Sequence, residues 1–196
     1  MRQFARPFPL ERLSLEARVL YTAFLLFLAA GFASSVWLYG SSFGGLGGEA
    51  ASAYYLGDAP AEIPAATDGP ALDLPDETAA GSLRLGQSPR QVMETFHFHL
   101  FTVPVVLLIV GHLFMLTSLA TRAKVWILAI TSAATFVHLL APLAIRFGDE
   151  SLGWLMPASV VVASLGWLPL IFVPLWEMWT RLPARAEEKR PEAATR

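Results

Sequence analysis

Apolar residues fall into four long runs, and the charged residues are confined to the gaps between them. No Asp, Glu, Lys or Arg occurs in 19–48, 95–121, 125–145 or 151–176. At 1.5 Å of rise per residue, about 20 apolar residues cross the hydrocarbon core of a bilayer. Each run is long enough, so the pattern predicts an all-α membrane protein with four transmembrane helices in an antiparallel bundle. The expected order is a cytoplasmic segment 1–17, spans at 18–40, 95–121, 124–146 and 151–178, and a cytoplasmic tail 179–196. Ser14, followed by Leu15, Glu16 and Ala17, is placed to cap the first helix.

The interval 41–94 is the one sizeable piece outside the spans. It opens on a glycine-rich stretch, continues through Pro, Ala and acidic residues, and sustains neither a helical nor a strand period. The expectation is a long irregular outer loop. It is either a loose linker or an ordered arm laid over a neighbouring subunit through Tyr54, Tyr55, Ile63, Leu72 and Leu74.

Composition supports the membrane reading. Hydrophobic residues make up 55% and charged residues 15%, against roughly 25% charged in an ordinary soluble domain. The charge distribution adds orientation. Arg2, Arg6, Arg12 and Arg18 precede the first span, Arg122 and Lys124 sit between the second and third, and five basic residues follow the fourth. The segment between spans one and two is acidic. Basic flanks mark the cytoplasmic side, so both termini are expected inside, in a bacterial inner membrane. The absence of cysteine excludes disulfides, thiolate metal sites, iron–sulfur clusters and covalent c-type haem in this chain. No basic face or phosphate loop points to nucleic acid. Small residues recur at helix-packing spacing, as Ala30 and Ser34, Ala129 and Ala133, Ser159 and Ala163. Those faces and the 41–94 arm are the expected contacts with other membrane subunits.

The candidate chemistry lies in four histidines, His97, His99, His112 and His138, confined to the second and third spans. An ionisable group inside a span is costly and points to function by default. On a regular helix His97, Phe101, Pro104, Leu108, His112 and Met115 share one face and His99 lies on the far side. In the third span Thr131, Thr135, His138 and Pro142 form a polar stripe, expected to face the bundle interior because lipid offers it no partner.

Three readings compete. In the first, b-type haem is held by histidines, with Met156 as a weaker axial candidate. His112 and His138 differ in depth by roughly 10 Å on straight helices, which strains a single bis-histidine site. In the second, imidazole and carboxylate border a quinone or proton site. Glu94 and His97 also have the E-x-x-H spacing of carboxylate-bridged metal helices, with no second copy of that motif. In the third, the histidines only hydrogen-bond between helices. Glu177 is expected to pair with Arg181 one turn later.

The order Tyr54-Tyr55-x-Gly57, then TFHFHLF at 95–101, GHLF at 111–114 and WEMW at 176–179 resembles small four-helix bacterial inner-membrane proteins, some of them encoded near electron-transfer genes. The resemblance spans roughly 54–179 and implies an accessory or electron-transfer subunit. The functional expectation is therefore a subunit of a respiratory or photosynthetic electron-transfer complex, without catalytic activity of its own. In it the histidine-bearing hairpin holds b-type haem or borders a quinone. The alternative is a non-catalytic structural subunit.

Overall fold

The computed structural model describes residues 10–57 and 85–180. A 3-10 turn at Leu10–Arg12 leads into five helices: α1 (Leu15–Phe43), α2 (Gly48–Leu56), α3 (Pro89–Met115), α4 (Thr121–Phe147) and α5 (Leu155–Thr180), with a second 3-10 turn at Glu150–Trp154 before α5. Helices α1, α3, α4 and α5 are each long and apolar enough to cross a membrane. The expected all-helical, four-span architecture is the one found. Among the described residues the one extended feature is an isolated antiparallel bridge between Gly57 and Leu85.

Local chemistry sets the helix ends. The Ser14 hydroxyl accepts from the Ala17 N–H at 3.3 Å, and α1 stops at Gly44, whose φ of 65° suits a residue without a Cβ. Helix α3 opens with a reciprocal capping box. The Ser88 hydroxyl accepts from the Gln91 N–H, the Gln91 side chain accepts from the Ser88 N–H, and Pro89 fills the first helical position.

Bulky apolar side chains such as Leu20, Phe27, Trp37, Leu108, Trp126 and Phe172 point outward. In lipid that orientation carries no hydrophobic penalty, so helices associate through close packing and polar contacts instead. Gly166 on α5 illustrates the first: a methyl group there would overlap the Thr131 hydroxyl of α4. Two apolar clusters close the ends of the bundle. One gathers Leu25, Val110, Phe114, Leu170, Ile171 and Met178. The other, at the α2 end, gathers Phe43, Ala51, Ala141, Ile145 and Met156.

The loop departs from expectation. Residues 41–43 still belong to α1, 48–56 form α2, and 89–94 are the first turns of α3. Tyr54 and Tyr55, expected as anchors on a neighbour, pack inside their own chain. Their rings stand 5.0 Å apart, and Phe43 lies 4.9 Å from Tyr54. Ile63, Leu72 and Leu74 lie outside the described residues. Helix α2 is pressed onto the turn before α5, where a Cβ on Gly48 would sit 2.8 Å from the Trp154 nitrogen. The Ser52 hydroxyl donates to the Glu150 carbonyl at 2.7 Å.

Candidate functional site

Between the two apolar clusters the four spans do not close on one another. They leave a cavity of about 340 Å³ to which every spanning helix contributes polar groups: Ser35 and Tyr39 from α1, His99 from α3, His138 from α4, Trp167 from α5. A second hollow, of about 190 Å³, lies toward α2 and is lined by Tyr54, Tyr55, Gln87, Gln91 and Met156. His99, His138 and Leu139 form a wall common to both. The two hollows meet at these residues, one toward the α2 cap and one toward the middle of the bundle, and are together called the chamber below.

Each polar group is set by a nearby partner. His99 places Nδ1 2.7 Å from the Thr95 carbonyl one turn earlier. His138 reaches across to α5, with Nδ1 3.1 Å from the Ser159 hydroxyl, and that hydroxyl donates to the Met156 carbonyl at 3.1 Å. The Trp167 indole N–H donates to the Thr135 hydroxyl at 3.1 Å. Tyr39 is the exception. The residue lines the cavity, and its hydroxyl is buried with no hydrogen-bond partner among the described residues. A buried hydroxyl without a partner costs on the order of 1–3 kcal/mol. At the α2 end, burial, with Tyr54 and Tyr39 beside it, pushes the Tyr55 phenol well up from its ordinary value, so it stays a neutral O–H.

The structure groups the four histidines by the hollows they line, and His99, like His97 and His112, is exposed. His99 and His138, on α3 and α4, share the chamber. His97 is exposed, its ring 5.1 Å from that of Phe101. His112 is also exposed, in a shallow outer groove with Pro104, Met115 and Ser132. The face of α3 that carries His97 and His112 borders neither hollow of the chamber. The face that borders the hollows carries Thr95, His99 and Thr102, exposed residues spaced one turn apart, and that trio is the signal in the sequence that marks it. The α4 stripe does turn inward: Thr131 and Thr135 are buried and His138 borders the cavity. Met156 is buried beside His138 in the α2-side hollow.

Glu94 bonds to Arg90 at 2.7 Å. Among the described residues no group of three His, Asp or Glu could hold a metal ion, so Glu94 and His97 have no third ligand there.

At the opposite end stands Glu177, whose expected partner Arg181 lies outside the described residues. Its buried carboxylate accepts from the Ser118 N–H at 2.8 Å and from the Ser118 hydroxyl at 2.6 Å. It thereby ties α5 to the α3–α4 turn, where the Lys124 ammonium donates to the Met115 and Thr117 carbonyls, both at 2.8 Å.

The model of a family described as a transmembrane helical domain matches residues 45–188, the stretch that holds α2 to α5. No curated protein and no solved structure matches the chain significantly.

Proposed function

The chain belongs to the Aq_1264_TM family of transmembrane helical domains, and from the chamber these helices build we propose that it is an integral membrane subunit of an electron-transfer complex that binds a quinone-class ring. The observation that carries this reading is one cavity, reached by all four spans and lined by His99, His138 and Tyr39. A lipid-soluble ring with oxygen on its rim meets both demands of the site, an apolar body against Phe32, Val103 and Trp167 and a polar edge against the imidazoles.

The volume favours such a ring over haem. About 340 Å³ lies at the lower end of the roughly 300–1,000 Å³ usual for small-molecule sites, which suits one substituted ring better than a porphyrin. His112 lines a different hollow from the one His138 lines, which favours other partners for His138. His99 and His138 are the pair a haem would have to use.

The test is direct. Purified protein in lipid nanodiscs is titrated with a short-tailed quinone and its quinol while Trp167 emission and the visible spectrum are followed. Saturable quenching that is lost in Tyr39→Phe and in His138→Leu supports the reading. A flat titration with both ligands refutes it, and a Soret band in the protein as purified replaces it with haem.

A second reading has its own observation. His97 and His112 point outward where lipid gives an imidazole no partner. Neighbouring subunits covering them would make the chain a packing element of its complex. Replacing His97 or His112 then weakens assembly and leaves ring binding unchanged.

A further inference from the structure

The hydrogen bonds around the chamber fix which nitrogen of each imidazole carries the proton. A neutral imidazole has one N–H and one bare nitrogen, and the partner of one decides the state of the other. The Thr95 carbonyl can only accept, so the 2.7 Å contact requires the proton on His99 Nδ1. For His138 the logic runs through Ser159. That hydroxyl has a single proton, and the Met156 carbonyl, again only an acceptor, takes it. Both contacts of Ser159 are then satisfied together if His138 Nδ1 is the donor. Each ring is left with a bare Nε2, and among the described residues neither Nε2 has a hydrogen-bond partner.

We propose that the chamber selects the reduced, hydroxyl-bearing form of its ring, because both imidazoles that border it offer hydrogen-bond acceptors through Nε2. The proposal rests on the quinone-class reading above and adds the redox form to it. A quinol brings O–H donors to these nitrogens. A quinone brings carbonyl lone pairs against nitrogen lone pairs, and leaves both Nε2 atoms unpaired. The other polar groups do not cancel this bias. The Tyr39 hydroxyl is buried with no partner among the described residues, and a phenol that can donate to either form adds no preference. The Thr135 hydroxyl accepts from Trp167, which leaves its proton equally indifferent. A site that hydrogen-bonds a ligand O–H discriminates strongly against the analogue without it, since the protein's own polar atoms are then left unmet.

The experiment uses the full chain in nanodiscs with decylubiquinol and decylubiquinone, which share a tail and a ring and differ in the hydroxyls. The expected result is that the quinol binds about tenfold or more tightly than the quinone. His138→Gln and His99→Gln each place an amide N–H donor beside the acceptor, and each is expected to narrow the ratio by raising affinity for the quinone. Ser159→Ala releases the His138 Nδ1 proton and narrows it as well. Equal affinities, or a tighter quinone, overturn the selectivity and leave the quinone-class site standing. An unchanged ratio in both Gln variants overturns it too, because the preference then arises elsewhere. If neither form binds to the wild-type chain, the site reading falls and the selectivity falls with it.

Discussion

Glu177 sits where a carboxylate is expensive, on a spanning helix and 7% exposed, and what it holds is the backbone of the α3–α4 turn. Two of its contacts come from one residue, Ser118. Removing the acceptor strands a buried N–H, so Glu177→Ala is expected to lower stability by about 1.5–3 kcal/mol. Glu177→Gln, which keeps one acceptor oxygen, is expected to lose less, as read from unfolding of the detergent-solubilised protein. An equal loss in both would assign the effect to charge instead of geometry. Gly166 and Thr131 test the opposite kind of contact. A methyl at position 166 would overlap the Thr131 hydroxyl, so Gly166→Ala is expected to cost about 1–3 kcal/mol through overpacking. The Thr131 hydroxyl is buried and makes no hydrogen bond among the described residues, so Thr131→Ala should be close to neutral alone and should recover part of the Gly166→Ala loss. Neither site announces itself in the sequence. Glu177 has Arg181 at helical spacing, which suggests a local pair, whereas its partner Ser118 is remote in the chain and adjacent only once the fold exists.

Among the elements, the four spans were legible because a bilayer imposes length and apolarity on each one separately, with no knowledge of its neighbours. Helix α2 was not. Nine residues beginning at Gly48 carry no persistent period, and an isolated helix that short is marginal in water. It exists through its docking on the turn before α5. The start of α3 was readable in principle, since Ser88-Pro89-Arg90-Gln91 is a capping-box signature; the acidic, proline-rich stretch before it obscured the signal. The face of α3 that borders the hollows was hidden for a related reason. Two histidines on one stripe outweighed one histidine with two threonines, although the latter set lines the chamber.

The α2 docking has two consequences. A methyl on Gly153 would overlap the Gly48 carbonyl and the Ser52 hydroxyl, so Gly153→Ala is expected to detach α2 and to expose the 48–56 segment to limited proteolysis. Asp149, which caps the same turn, gives a pH dependence. Hydrogen bonds from Ser151, side chain first and backbone second, hold its carboxyl below the ordinary carboxylate value. A depressed value means the cap contributes fully above the unfolded pKa of about 3.9. It is lost as pH falls through the lower folded value. Trp154 emission is expected to shift in that acid range, and Asp149→Asn, which keeps the acceptor and cannot titrate, should flatten the shift.

At the scale of the whole molecule, the contacts decide which ends of the helices lie together. Glu177 with Ser118, Lys124 with Met115, and the Trp179 indole donating to the Thr22 hydroxyl at 2.9 Å collect at one end. Helix α2, the Gly57–Leu85 bridge, the Ser88 cap and the α2-side hollow collect at the other. The first end carries Arg12, Arg18, Arg122 and Lys124. At the second, Arg90 and Arg146 stand among Glu49, Glu94, Asp149 and Glu150. Of the two basic residues there, Arg90 is paired with Glu94, and Arg146 donates to the Gln87 carbonyl at 3.0 Å. The bias of basic residues toward the cytoplasm then predicts that the chamber's α2 end faces away from the cytoplasm. The chain has no cysteine, so single introduced thiols report the orientation without background. In intact cells a membrane-impermeant maleimide is expected to label Ser151→Cys. Thr121→Cys, exposed at the opposite end, should react only after the membrane is permeabilised. The reverse pattern would invert the whole bundle and turn the hollow between α2 and His138 toward the cytoplasm.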